Sequence, residues 1–434
     1  MEISEIKNLA QYTLSCLKKY GADDAQCKLT FGSVDEINVD AGEFSLMRST
    51  FDSSVTMKVI KDGKKGVIGI NKTDKQSIDK AAKECVENAE VSAVDDCLSI
   101  SDNQENEDFV YGVDTPDRDK LFDRINEYIK DIEADYPKVF IEQLIADFSE
   151  AQSVFANTNG VEFSYKCGYY SMGSMYSAHD GEKTTSFNSL GIDFSDLDKK
   201  IIDQGIGRMM YALCEKELDA VPYEGKFTGT AVIAPSCLGD IIGTAVSNFT
   251  GDDMIIDSTS PWRDKLGEKV ASDKLTVKLI PIDDRVIGGE RYTGEGYKTK
   301  NCTVINKGVL ESFTLSEYAA RKSGEKRCST LSGCMEVEAG DTPYEDLIKN
   351  IDQGILVCRF SGGVPAGNGD FSGVAKNSFL IENGKITKPI LETMISGNLR
   401  DMMQNVTAVS KETAQDGSCV FPWVAFDGVT VSGK

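Results

Sequence analysis

Two strand-like runs joined at a glycine turn constrain this chain more than any other feature. Residues 53–60 read SSVTMKVI, residues 64–70 read KKGVIGI, and Lys61-Asp62-Gly63 lies between them. Runs rich in β-branched residues around such a turn read as a hairpin. A helix follows, with Ile78, Ala81, Ala82, Cys85, Val86 and Ala89 on one face and Thr73 or Asp74 as its cap. Another precedes it, with Ile3, Ile6, Leu9, Ala10, Leu14 and Leu17 on one face and Gly21 where a C-terminal glycine belongs. Antiparallel strands with flanking helices point to an α+β fold. They do not show the β–α–β alternation of a parallel sheet.

Further along, residues from about Ala93 to Asp114 are polar, acidic and aperiodic, and are expected to be a linker or long excursion. A helix is expected from Thr115-Pro116, carrying Leu121, Phe122, Ile125, Tyr128, Ile129 and Ile132 and stopping before Pro137. Asn159-Gly160 signals a turn between strands, and another helix is expected from Ser195 to about Glu217. From Gly225 onward, strand segments and glycine-centred turns dominate, at Lys307-Gly308 and Asn383-Gly384 for example. One helix, from about Pro235 to Phe249, interrupts them. Boundaries near Val113 and Val221 divide the chain into three expected regions. These are an N-terminal helix-and-antiparallel-sheet domain with an acidic linker (1–113), a mixed helix–strand–helix region (114–220) and a mainly antiparallel β domain (221–434).

Charge and histidine content remove whole classes of function. The 434 residues include 70 Asp and Glu against 47 Lys and Arg, a net charge of −23. Direct binding to nucleic acid or to a membrane needs a cationic surface, so neither is expected. His179 is the one histidine. A Ser-His-Asp triad could use only that residue, and a two-histidine zinc site within the chain is impossible. In Ser177-Ala178-His179-Asp180-Gly181 it reads as an exposed loop residue. The twelve cysteines form no CxxC pair and read as small apolar fillers. Glu2 and Glu5 stand where a signal peptide would be basic, and no apolar run approaches about 20 residues. A cytoplasmic protein with reduced thiols is expected.

No Walker A loop and no GxSxG occurs. The run Gly362-Gly363-Val364-Pro365-Ala366-Gly367-Asn368-Gly369 admits three readings: a strained turn or close backbone approach, contact with a substrate backbone, or a phosphate cradle. The acid pairs Asp252-Asp253 and Asp283-Asp284 could hold a cation, but adjacent acids are expected by chance among 70.

The pattern as a whole resembles the TldD/PmbA family, also called modulator of DNA gyrase, over nearly the whole chain. The resemblance rests on the hairpin at 53–74 and its helix, on FANTNGVEFS at 155–164 and on GEGYKTKNCTVINKGVLESF at 294–313. It rests further on GNGDFSGVAKNSFLIENGKITKPILETMISGNLRDM at 367–402 and DGVTVSGK at 427–434. One branch of the family carries HExxxH on a helix early in its last domain. There two histidines bind zinc and the glutamate acts as general base. The PmbA or TldE branch lacks the motif and pairs with the first, and the pair is understood as a peptidase of small or unfolded peptides.

Matching that helix to Pro235–Phe249 puts Gly243 and Asn248 at the histidine positions and Thr244 at the glutamate. Thr413 falls where the zinc branch has a cysteine ligand. None can do that work, so the resemblance implies the PmbA/TldE branch. It implies a chain inactive alone and without a cofactor or metal of its own, paired with a TldD-like HExxxH paralogue that holds zinc. A homodimer is possible when the chain is alone. Gly362, Gly363, Gly367, Gly369, Asp370 and Gly373 are candidates for contact with an extended peptide added to a sheet edge. Two alternatives stand beside this: an independent peptidase using Asp370 and Cys419, and a protein-binding modulator of gyrase.

Overall fold

A computed structural model describes residues 1–363, 365–391 and 393–433. Val364, inside the glycine-rich run, lies outside the described residues. Two sheets with helices packed on them make up the structure, an α+β architecture.

The first sheet begins after helix α1 (Ile3–Lys19) with the long strands β1 (Asp24–Asp40) and β2 (Glu43–Lys61), followed by β3 (Lys64–Ile70). Asp62 and Gly63, the turn residues between β2 and β3, both adopt positive φ (52° and 69°). A two-residue hairpin turn requires that of both its central positions. Val55, Met57 and Val59 alternate into the core, where Ile6, Ala10 and Leu17 of α1 meet Ile78, Ala82 and Cys85 of α2 (Lys75–Glu90). The Asp74 side chain caps α2 by accepting from Ser77 N at 2.9 Å.

The next elements are β4 (Glu107–Gly112), α3 (Arg118–Asp135), β5 (Val139–Asn157), β6 (Glu162–Asp180), β7 (Lys183–Thr184) and β8 (Asn188–Phe194). The strand order is β3-β2-β1-β5-β6-β4, with β7 and β8 also on β6. Segments on both sides of Val113 therefore share this sheet. Helix α4 (Gly207–Lys216) and α3 pack Tyr211, Met210, Ile125 and Tyr128 against it.

Three expectations need correction here. The acidic stretch 93–114 is not purely a linker: β4 lies within it and pairs in parallel with Phe163–Gly168 of β6. Its Phe109 side chain packs beside Phe163 and Tyr292. Second, the helix from Ser195 to Glu217 is broken. The Asp196 carboxylate accepts from Asp198 N, a 3₁₀ turn occupies Ile201–Asp203, and Gly205 at φ 76° ends it before α4 starts. Third, α3 starts at Arg118 with Asp117 as its cap, beyond Thr115-Pro116.

The second sheet holds β9 (Val221–Pro222), β10 (Lys226–Ile233), β11 (Val277–Leu279), β12 (Cys302–Asn306), β13 (Val309–Leu310) and β14 (Met335–Val337). It continues with β15 (Gln353–Gly362), β16 (Asp370–Glu382), β17 (Lys385–Leu391), β18 (Thr393–Asn398), β19 (Val406–Gln415) and β20 (Val420–Ser432). β20 lies between β10 and β14 and also pairs with β18 and β19. Helices α5 (Pro235–Thr250), α6 (Asp252–Ile256), α7 (Glu317–Ser323), α8 (Tyr344–Lys349) and α9 (Leu399–Gln404) complete the region.

Candidate functional site

Helix α5 follows β10 directly. Pro235 fills its first turn, and Ser236 Oγ donates to the Cys358 carbonyl at 2.8 Å, fixing the helix against β15. Leu238, Ile241, Ile242, Ala245, Val246 and Phe249 are buried in the core of the second sheet. The opposite stripe, Asp240, Gly243, Thr244, Ser247 and Asn248, stays partly or fully open, at the spacing of one helix face. All three degenerate positions assigned to this helix lie on that stripe.

The stripe faces the turn between β15 and β16. Asn248 Nδ2 donates to the Pro365 and Ala366 carbonyls at 3.4 and 3.5 Å. Gly369, at φ 94°, lies against Phe249, and Gly367 lies against Met254 of α6. Asp370 closes the turn: Asn398 and Asn368 each donate to its carboxylate at 2.8 Å, holding it below the usual carboxylate range. Asn398 in turn caps α9.

The two outer glycines pair across the strands. A Cβ on Gly362 would stand 2.6 Å from Phe360 Cζ and 2.8 Å from Gly373 Cα. Gly363 faces open space. Four of the five glycines proposed for peptide contact are thus fitted against this chain's own atoms. β15 nevertheless has an open flank. β10 pairs with it only as far as Val357, while Arg359–Gly362 bonds β16 on the other side. No strand covers the outer edge of Arg359–Gly362 among the described residues.

Thr413 lies on β19, exposed and paired with Pro422. Its neighbours Ala414 and Gln415 line a 340 Å³ cavity with Gly239, Asp240 and Cys419. Desolvation by the cavity wall pushes the Asp240 carboxyl above its ordinary range although the residue stays open to solvent, and burial pushes the Cys419 thiol up to about 12. Asp240, on this cavity wall, is not singled out in the sequence; one acid among 70 carries no signal. Asp370 and Cys419 are not brought together: the first is held in the hairpin turn, and the second points to the Gly333 carbonyl.

The donors on α5 do not fit zinc. Glycine offers no side chain, and Thr244 and Asn248 are neutral. His179 ends β6 in the other sheet, where its Nε2 lies 2.9 Å from Ser177 Oγ and 3.4 Å from Glu142. It belongs to a strand, not a loop, and its partner there is Thr184 of β7. No group of three or more His, Cys, Asp or Glu side chains is placed to share a metal among the described residues. Asp252 accepts from Ser316 N and Oγ (2.9 and 2.6 Å), and Asp283 pairs with Arg285.

Comparison with known families settles the lineage. The model of the PmbA/TldA metallopeptidase C-terminal domain matches residues 226–433, and that of domain 1 of the same family matches residues 31–89. The chain belongs to the PmbA/TldD family. Within it, a metalloprotease of Methanocaldococcus jannaschii is 24% identical over 90% of each chain. The metalloprotease PmbA of Escherichia coli O157:H7 is 24% identical over 95% of this chain and 93% of that one. Crystal structures share the fold. One, from Bacteroides thetaiotaomicron and described as a candidate modulator of DNA gyrase, superposes with a TM-score of 0.86 at 22% identity, covering 99% of each chain. TldE from Thermococcus kodakarensis gives 0.82 at 19% identity, covering 98% and 99%. The PmbA/TldD C-terminal match contains α5, the β15–β16 hairpin and Thr413 together.

Proposed function

We propose that this chain is the non-catalytic, PmbA/TldE-type subunit of a two-subunit zinc peptidase acting on small or unfolded peptides. The observation that carries the reading is the open stripe of α5. It carries Gly243, Thr244 and Asn248, which the resemblance sets against two imidazoles and a base, and Asn248 is turned to packing on the hairpin. Zinc and base would come from a TldD-like HExxxH partner. The free edge of Arg359–Gly362 supports a role in holding an extended peptide by strand addition. The high thiol pKa of Cys419 and its separation from Asp370 speak against an independent nucleophilic enzyme.

No helix among the described residues is long and apolar enough to cross a membrane. We assign the heterodimer to the cytoplasm, with the homodimer as the form taken when the partner is missing.

Native mass spectrometry of the protein purified from its source cells tests the reading. A heterodimer whose zinc stays on the partner after separation is the expected result. A lone chain that carries zinc or hydrolyses peptides would overturn it.

A further inference from the structure

A second cavity, of 380 Å³, opens between the two sheets, away from the α5 stripe. Glu217, in a 3₁₀ turn after α4, forms part of its wall with Lys376 and Asn377 of β16. Tyr223, Ile390 and Leu391 supply apolar surface. Asn377 is buried and holds φ at 50°, a left-handed conformation that asparagine tolerates better than most residues. Its side-chain amide lies beside the Glu217 carboxyl and the buried Asn188. The carboxylate keeps lone pairs for further donors. It makes no ion pair among the described residues.

We infer that this cavity binds a small zwitterion, a free amino acid or a dipeptide, with its ammonium on Glu217, its carboxylate on Lys376 and its side chain against Tyr223, Ile390 and Leu391. A part-buried carboxyl with no ion-pair partner among the described residues is complementary to an ammonium group, which can take the place of its proton. A cavity near the lower end of the ligand-site range suits a ligand of that size. The Asn377 side chain, beside the receiving carboxyl, helps to position it.

The groups around Glu217 are Arg359 and Cys358 on β15, Lys376 on β16, Cys214 on α4 and Tyr176 on β6. The Arg359 guanidinium is engaged with the Phe187 carbonyl. Burial dominates and raises the Glu217 carboxyl to about 8. The free site is therefore largely protonated at neutral pH, and an arriving ammonium must displace that proton.

Calorimetric titration of the full chain tests this with L-leucine, L-leucyl-L-leucine, N-acetyl-L-leucine and L-leucinamide. Saturable binding of leucine or the dipeptide is expected at millimolar concentration or below, with proton release, and tightening from pH 6 to 8. N-acetylation of leucine removes the ammonium and is expected to weaken binding at least about tenfold, as is Glu217→Gln. Lys376→Met is expected to weaken leucine but not leucinamide. If Glu217→Gln fails to fold, the acetylated ligand probes the same contact on the unmodified chain. Equal binding of leucine and N-acetyl-leucine would overturn the inference. So would the absence of saturation by both leucine and the dipeptide at about 10 mM.

Discussion

The amide nitrogen of Asn248 reaches the carbonyl oxygen of Pro365 at 3.4 Å, tying α5 to the turn of the β15–β16 hairpin. Asn248 stands where the resemblance puts a zinc-binding histidine of the other branch. The bond is long, and its donor is partly open to water. Asn248→Ala is therefore expected to cost no more than about 1 kcal/mol of stability, read from the urea midpoint.

Gly243 makes a sharper case. It sits inside α5, and a Cβ there would have nothing within 4 Å. Gly243→Ala is expected to stabilise the protein by about 0.5–1 kcal/mol through the unfolded chain and helix propensity. A destabilisation would show that the helix is held in this form by a contact not seen here.

The opposite face of α5 behaves as core. Ile242 is fully buried, and Ile242→Ala is expected to cost about 2–5 kcal/mol in chemical denaturation.

Gly373 is crowded by Phe360 and by the Gly362 backbone. Gly373→Ala is expected to cost about 1–3 kcal/mol, and pairing it with Phe360→Ala is expected to recover part of that. A double-mutant cycle with no coupling would remove the cross-strand account of these glycines.

Glu217 predicts a pH dependence of stability. Its folded carboxyl titrates near 8, against an ordinary value of about 4.3 in the unfolded chain. Between those values the folded state binds the extra proton. Its contribution is therefore complete at low pH and is lost as pH rises toward 8. Denaturation midpoints measured from pH 5 to 8 are expected to fall, with a shallower slope in Glu217→Gln.

How much could be read in advance depended on how local each signal was. The turns at Asp62-Gly63, Lys307-Gly308 and Asn383-Gly384 each place both residues at positive φ, and each is written in adjacent letters. The apolar face of α5 is equally local, and Gly243, Thr244 and Asn248, which the resemblance picks out, share its opposite, open face. β4 was missed because its partner lies in β6, far along the chain, and the segment between gives no period. Gly362 and Gly373 read as candidates for peptide contact in a glycine-rich run, and their cross-strand packing could not be read there because it depends on strand register and on one phenylalanine. Glu217 and Lys376 look like any surface charges until β16 and the turn after α4 meet.

β20 has a consequence for synthesis. β10, β14, β18 and β19 all pair with it, and all four are made before it. While the ribosome is still translating, β10 and α5 can close against β15, but the β20 side of β10 stays open. The facing edges of β10, β14, β18 and β19 must wait unpaired, natural clients for chaperones, until β20 emerges and joins them in one late step.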